Sequence, residues 1–566
     1  MCGICGIYGD GDKSSITRMM REIEHRGPDD KGSIDYSLCS LGHQRLAILD
    51  LSPNGHQPMF NENHTIWLVV NGEIYNYRAL RAILRDKGHQ FRSESDSEVI
   101  IHAYEEYGDE FVTKLRGMFA LAIYDLNKDK LILARDPIGK KPLYYYKNGQ
   151  KIIFASEIKA LFKAGVPCEV NYDMIPTYLM YQYTMGTDTL FKGVKKLAAG
   201  HILTAKDGQV KIERYWQIKE GFNGKGDDLR GLLEQSVALR LQSDVPIGAF
   251  LSGGIDSSAV CALWRQQSAG VIHAFTATFG THSESRYAKM VSEYLGLTYH
   301  EVDITPRMVA RDIEKITWHH DEPLGDAATI NNFYLSEEAK KYVTVVLAGE
   351  GGDEVFGGYP WYKYAGFIDK MSKVPWQFRI MGDVTAGLIN RGDITSRTHR
   401  LTRMALFPCQ VQDDEMMLYP TSSMSIHNVL WLLKNTSEDA LDIHPILPEH
   451  VSNPYNQLLA MDCLNKLPEQ YLMKSDKATM AHGIEERLPL LDKEIIEYAF
   501  TLPVSLKKDK YVLRKAVENL LPPEIVWRPK KGFGTPLTDW LMNDDIRDCV
   551  LDAFSGRSWL REIFKS

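Results

Sequence analysis

The sequence predicts a multidomain chain: an α+β domain first, then an α/β domain on a doubly wound parallel sheet with a mostly helical extension. Three observations carry this. The chain has 566 residues, more than a single hydrophobic core supports. Residues 1–160 hold short apolar runs joined by tight polar links, the pattern of closely spaced antiparallel strands. From about residue 225 apolar runs alternate with amphipathic helical segments, which implies right-handed crossovers and a parallel sheet.

In the first domain, helices are expected near 13–24 and 97–107. The run 65–70 is apolar and ends in Asn71-Gly72, a turn dipeptide. Strands are expected at 119–125, 131–136, 143–146 and 152–155, forming an antiparallel meander. A linker is placed at 205–227, where Gly221-Phe-Asn-Gly-Lys-Gly-Asp-Asp228 begins. In the second domain, strands are expected at 245–251, 271–279 and 343–348, with helices at 256–267 and 285–295. Residues 360–566 read as mostly helical, and 366–460 is the least informative stretch.

Composition bounds the function. Hydrophobic residues make up 44% and charged residues 25% of the chain, ordinary for a soluble globular protein. The net charge is −8, with no basic tail or dense Lys/Arg stripe. That argues against nucleic acid as a partner and leaves small phosphorylated ligands open. Eight cysteines are spread thinly, and the CxxC pair Cys2 and Cys5 has no second Cys/His pair nearby to complete a zinc site. No run approaches the roughly 18 apolar residues of a membrane span, and no apolar leader precedes the first strand. A reduced, cytoplasmic protein without a membrane partner is expected.

Two segments carry chemistry. Met1-Cys2-Gly3 places a thiol one residue inside the initiator methionine. Once that methionine is trimmed, Cys2 holds a nucleophile and, in its α-amine, a proton acceptor for it. Ser252-Gly-Gly-Ile-Asp-Ser-Ser258 lies between an apolar strand and a helix. Small residues let backbone approach a phosphate, and the helix N-terminus offers unpaired N–H groups. Asp256 is suited to holding Mg²⁺ on phosphate oxygens. The segment lacks the Gly-Lys-Ser/Thr of a Walker A loop; it looks like a loop that binds pyrophosphate when ATP is split to AMP. Ala348-Gly-Glu-Gly-Gly-Asp-Glu354 follows the third strand of that sheet. Its carboxylates at 350, 353 and 354 lie where such sheets bind ligands, although a solvated acidic turn would read the same. Lys530, in Trp527-Arg-Pro-Lys-Lys-Gly-Phe-Gly534, is a cation for a phosphate-bearing transition state.

Together the two halves resemble the glutamine-dependent asparagine synthetases over nearly the whole chain. Cys2-Gly-Ile, His25-Arg-Gly-Pro-Asp29, His43-Gln-Arg-Leu46, Asn71-Gly-Glu73 and Ser95-Asp-Ser-Glu98 are similar, in the same order, to a class II glutamine amidotransferase. The resemblance implies an Ntn-hydrolase αββα sandwich at 2–215 and an ATP-pyrophosphatase domain at 216–566. It implies that Cys2 attacks glutamine, with Asn71 and Gly72 as oxyanion donors. It places Arg45, Leu46, Ala47, Ile48, Leu49, Glu73 and Asp96 around the glutamine, with Arg45 on its carboxylate and Glu73 and Asp96 on its ammonium. It puts Leu251, Ser252, Gly253, Gly254, Asp256, Ser257, Ser258, Ala277, Ala348 and Gly349 around ATP. Glu350 matches the family's general base, Lys530 its transition-state lysine, and Asp256 and Asp353 its Mg²⁺ ligands. Leu467–Asp492, which contains Met480-Ala-His-Gly-Ile-Glu-Glu-Arg-Leu-Pro-Leu-Leu-Asp492, also fits the family. A homodimer and an apolar ammonia tunnel are implied as well.

One departure bears on the acceptor. The family's Thr-Thr-Ile-Arg segment, whose arginine is linked to the acceptor aspartate, reads Ala328-Thr-Ile-Asn331 here. A natural partner for a carboxylate is lost, and broader relatives with this change amidate other carboxylates, including sugar uronates. Aspartate remains the favoured acceptor. A nucleic-acid thiolation enzyme would keep only the pyrophosphate loop, and a phosphosugar aminotransferase only the Cys2 domain. A scaffold without activity would need one of Cys2, Arg45, Asp96, Asp256 or Glu350 replaced, and none is.

Overall fold

The computed structural model describes residues 1–280, 285–372, 422–424, 426–433, 444–530, 534–542 and 544–555. Most of the uninformative stretch 366–460, and residues 531–533 of the basic loop, lie outside the described residues.

The N-terminal domain stacks two six-stranded antiparallel sheets. One holds β1 (Gly3–Tyr8), β2 (Asp30–Asp35), β3 (Cys39–Arg45), β8 (Tyr144–Asn148), β9 (Lys151–Ala155) and β10 (Val194–Lys196) in the order β10-β8-β9-β1-β3-β2. The other holds β4 (Met59–Phe60), β5 (Ile66–Ile74), β6 (Gly117–Asp125), β7 (Lys130–Arg135), β11 (His201–Lys206) and β12 (Gln209–Arg214) in the order β12-β11-β7-β6-β5-β4. The two-residue period of a strand sorts β5 cleanly. Val69 faces the other sheet, packing with Ile4, Leu41 and Phe154, while Leu68 and Val70 face outward onto Leu80, Leu84, Val99 and Ile101 of the helices Tyr77–Asp86 and Glu98–Tyr107. On the opposite side, Cys5 and Ile7 of β1 pack under Ile16 and Met19 of the helix Lys13–Glu22. Two helical layers thus enclose two sheets, the expected sandwich.

Three local expectations are corrected. Asn71-Gly72 is no turn: both lie within β5, opposite Ala120 and Phe119 of β6. Glycine serves close approach there, since a Cβ on Gly72 would lie 2.1 Å from the Met118 carbonyl oxygen. The meander does not stay in one sheet; after β7 the chain crosses to the other for β8 and β9. The first half of the expected linker is the hairpin β11–β12, which leaves 215–228 as the connection.

The C-terminal domain holds a five-stranded sheet, parallel throughout, in the order β15-β14-β13-β16-β17. Its strands are β13 (Ile247–Phe250), β14 (His273–Thr278), β15 (Thr298–Asp303), β16 (Val345–Leu347) and β17 (Glu485–Arg487). From β13 the chain winds one way through β14 to β15, then restarts at β16 and winds the other way. The reversal between β13 and β16 opens a crevice at their C-terminal ends, the ligand position of such sheets. β15 and β17 escape sequence reading; β17 is Glu-Glu-Arg, yet wholly buried. Among the described residues, no helix is long and apolar enough to cross a membrane.

Candidate active sites

Cys2 lies immediately before β1 and is almost fully buried. Its backbone N–H donates to Asn71 Oδ1 at 3.0 Å, and its thiol lies 4.0 Å from the Leu46 carbonyl oxygen. Burial pushes the thiol's pKa up, so the thiol rests protonated and would need a base to attack. Asn71 is completely buried, and its Nδ2 has no hydrogen-bond partner. A buried donor left unpaired costs about 1–3 kcal/mol, so this amide is free to take an acceptor.

Arg45, at the end of β3, is oriented by carbonyl oxygens of the loop that follows. Its Nη2 donates to Leu49 at 3.2 Å and Asp50 at 2.5 Å, and its Nη1 to Ser52 at 3.4 Å. Gly55 makes room, since a Cβ there would meet Arg45 Nη2 at 2.0 Å. Leu46 and Ile48 are buried, and Ala47 and Leu49 half-buried, in the same loop. Glu73 and Asp96 are both buried. Asp96 accepts the Ile74 N–H at 2.6 Å; burial, reinforced by Glu485, still raises its pKa to about 6. Burial, with Asp96 and Glu485 nearby, drives Glu73 well above the usual carboxylate range. Two carboxylates held this way invite a cation.

Sequence reasoning passed over the residues that fasten this site to the second domain. Arg26 is wholly buried. Its Nε donates to the Cys2 carbonyl at 3.1 Å, while its two Nη atoms reach Glu157 and Asp476, each at 2.8 Å. Asp476 belongs to the helix Leu472–Met480 of the C-terminal half. From β17, Glu485 pairs with the Met1 ammonium at 3.0 Å and Arg487 with Glu73 at 3.3 Å. Between the sites, Met1, Leu46, Ile48, Tyr75 and Met118 of the first domain pack with Val345 and Met480 of the second.

At the crevice, Ser252, Leu251, Asp256, Ser257, Ala277, Ala348, Gly349, Glu350, Asp353 and Lys530 line one cavity of about 180 Å³. A larger one, about 590 Å³, adjoins it through Ser252, Asp256 and Lys530 and adds Gly254, Lys510, Arg514 and Arg528. Gly253 and Ser258 line neither. Gly253 has a positive φ of 72°, and a Cβ there would strike the Ala288 nitrogen at 2.5 Å; it shapes the loop. Ser258 is fully buried within the helix Ile255–Gln267.

Lys510, which sequence reading did not single out, is buried, 2.5 Å from Asp256 and 2.6 Å from Asp353. Lys530 Nζ lies 2.5 Å from Asp353; burial opposes its charge, and Asp353 and Asp256 outweigh that. Asp256 keeps a buried Oδ1 without a hydrogen-bond partner, so the carboxylates fit a hard cation such as Mg²⁺. Burial raises Glu350, and Lys474 is the strongest influence opposing it. Asn331 is buried, with Oδ1 accepting from Thr535 at 3.2 Å and Nδ2 unpaired.

Comparison with known proteins finds matches for both halves of the chain. Residues 1–216 match the family model described as glutamine amidotransferase domain, and residues 228–565 that described as asparagine synthase. The asparagine synthetase [glutamine-hydrolyzing] 1 of Bacillus subtilis is 33% identical over 100% of this chain and 93% of its own length. A putative asparagine synthetase [glutamine-hydrolyzing] of Mycobacterium tuberculosis is 32% identical, covering 95% and 86%. The amidase chyE of Penicillium rubens is 29% identical, covering 95% and 89%.

Proposed function

Since the chain belongs to the glutamine-hydrolysing asparagine synthetase family, an ATP-dependent ligase that draws its amide nitrogen from glutamine, we propose that aspartate is its acceptor, amidated through an acyl-adenylate. The observation that carries this reading is the pairing of a buried thiol beside an unpaired amide donor with an acid-lined crevice at a sheet's switch point. Buried apolar residues join the two.

In this reading Cys2, freed of Met1, attacks the glutamine side-chain amide and passes its proton to its own α-amine. Asn71 Nδ2 and the Gly72 N–H receive the developing oxyanion; one such donor is worth about 3 kcal/mol. Arg45 holds the substrate carboxylate, and Glu73 and Asp96 its ammonium. Ammonia then crosses the apolar cluster around Met118 and Met480 and meets no bulk water to protonate it. In the crevice Leu251, Ser252, Ser257, Ala277, Ala348 and Gly349 surround ATP, and Lys510 and Lys530 face its phosphates. Mg²⁺ held by Asp256 and Asp353 would supply further charge neutralisation on the pyrophosphate. Glu350, its carboxyl raised by burial, takes the proton from the attacking ammonia. The proposed boundary between the domains falls at 215–228.

The glutaminase pH profile follows from Asp96. Its ionised form is disfavoured by burial, so it gains a proton as pH falls through about 6. Glutaminase kcat/KM should therefore fall below pH 6, approaching tenfold per unit. Between the ordinary carboxylate pKa and 6 the folded chain keeps a proton the unfolded chain has shed. The stability this group contributes is thus lost as pH rises through that window, and bound glutamine restores it. A flat profile from pH 5 to 7 would remove Asp96 from the ammonium site.

For the acceptor, the names of the relatives favour aspartate, and the buried Lys474, held by Asp326 at 2.8 Å, is the strongest positive influence on Glu350. Asn331 favours the second reading, a larger carboxylate such as a sugar uronate, since an amide donates to hydroxyls as readily as to carboxylates. AMP and pyrophosphate release with glutamine, Mg²⁺ and ATP decides. Release that depends on L-aspartate and yields asparagine supports the first reading. Glutaminase activity without aspartate-dependent AMP rejects it and moves the assay to uronates.

A further inference from the structure

On the outer helical layer of the first domain, His89, His102 and Glu105 bring one ligand atom each within 4.8 Å of one another. His102 and Glu105 lie three residues apart on the helix Glu98–Tyr107, and so on one face. His89 comes from the loop that precedes this helix and follows Gly88, whose φ is +100°. We propose that these three side chains form a binding site for a divalent transition metal, zinc by the chemistry of the donors.

The geometry approaches a coordination sphere. Glu105 Oε2 lies 2.9 Å from His102 Nδ1 and 3.4 Å from His89 Nδ1. Ligands of tetrahedral zinc sit roughly 3.3 Å from one another when each metal–ligand bond is about 2.0–2.1 Å. The outer contacts have the form such sites use. Each imidazole turns Nδ1 to the common carboxylate and its Nε2 toward a second one: Glu98 at 3.7 Å for His102, Glu106 at 3.4 Å for His89. Carboxylates behind ligating histidines fix the tautomer and raise ligand basicity. Asn61 Nδ2 orients Glu105 through its other oxygen at 2.8 Å. His102 is buried, and Glu105 and His89 are partly open to solvent, which gives the ion a way in and leaves a fourth position for water. Two imidazoles and one carboxylate favour zinc over Mg²⁺ or Ca²⁺, which prefer oxygen.

The site's place in the fold gives it a role. His89 begins, and Asp96 nearly ends, the loop between the helices Tyr77–Asp86 and Glu98–Tyr107. A metal joining His89 to His102 closes that loop onto the helix and orders the segment carrying Asp96.

The test equilibrates the full-length protein with zinc in excess Mg²⁺, removes free metal and measures retained zinc beside His89→Ala and His102→Ala. The parent should retain one more equivalent than either variant, and its cobalt form should show the intense visible bands of a tetrahedral site. Zinc should raise the parent's thermal midpoint and leave that of His89→Ala unchanged. Because His89 is partly exposed, its variant serves even if His102→Ala folds poorly. Equal retention by parent and His89→Ala, or none by the parent, would overturn the proposal and leave a hydrogen-bonded histidine–carboxylate cluster.

Discussion

Cys2→Ala is expected to lower glutamine-dependent synthesis by about three orders of magnitude or more, while synthesis from free ammonium stays within about twofold. In the proposed reading the thiol is the nucleophile, and the nearby Cys5 does not replace it, since Cys5 packs against Ile16 and Met19 in the helical layer. The crevice at β13 and β16 keeps its own chemistry, because Glu350, Asp256 and Lys530 do not touch β1 among the contacts described. The measurement is AMP formation with saturating glutamine and, separately, with ammonium chloride at pH 8. If ammonium-driven AMP formation fell in parallel with the glutamine rate, the two half-reactions would not be separable as argued.

Arg26→Met should have the largest effect on stability. Its guanidinium is wholly buried and shared by the Cys2 carbonyl, Glu157 and Asp476. Removing it takes a cation from two buried carboxylates, leaving Glu157 to Lys159 and His25 and Asp476 to Lys141 at 3.5 Å. Breaking a buried pair in this way costs about 3–5 kcal/mol. Arg26 and Glu157 lie in the first domain and Asp476 in the second, so the loss falls on their contact, and a single two-state transition is not expected. The variant should melt earlier, in a transition that splits, and should hydrolyse more glutamine per AMP formed. A variant that melts with the parent and keeps the parental ratio would show that Arg26 is not the link.

Much of this was legible in the sequence, for physical reasons. Residues around Cys2, Asn71 and the 252–258 loop are short-range motifs, and their chemistry depends on neighbours a few positions away. Periodicity placed β5, β6, β7 and β13, whose apolar residues are their own signal. β17 gave none. Glu485, Glu486 and Arg487 hold no apolar residue to mark a strand, and the partners that let them be buried, Met1 and Glu73 among them, lie some four hundred residues away in the chain. Lys510 went unnoticed for the same reason: nothing local announces Asp256 and Asp353 as its partners. Asn71-Gly72 misled in the opposite sense, since a dipeptide that favours turns lies here within β5, pressed against Met118. Long-range charge pairing and close backbone approach are the two things pattern reading could not supply.

The most direct test of the central claim, two sites joined inside one chain, uses glutamine labelled with ¹⁵N in its side-chain amide. Synthesis is run with aspartate, ATP and Mg²⁺ in a large excess of unlabelled ammonium, and the asparagine formed is weighed by mass spectrometry. Internal transfer predicts product carrying ¹⁵N well above its share of the total ammonia pool. Label diluted to the bulk ratio would mean that ammonia leaves the protein between the sites, and the account of their coupling would be wrong.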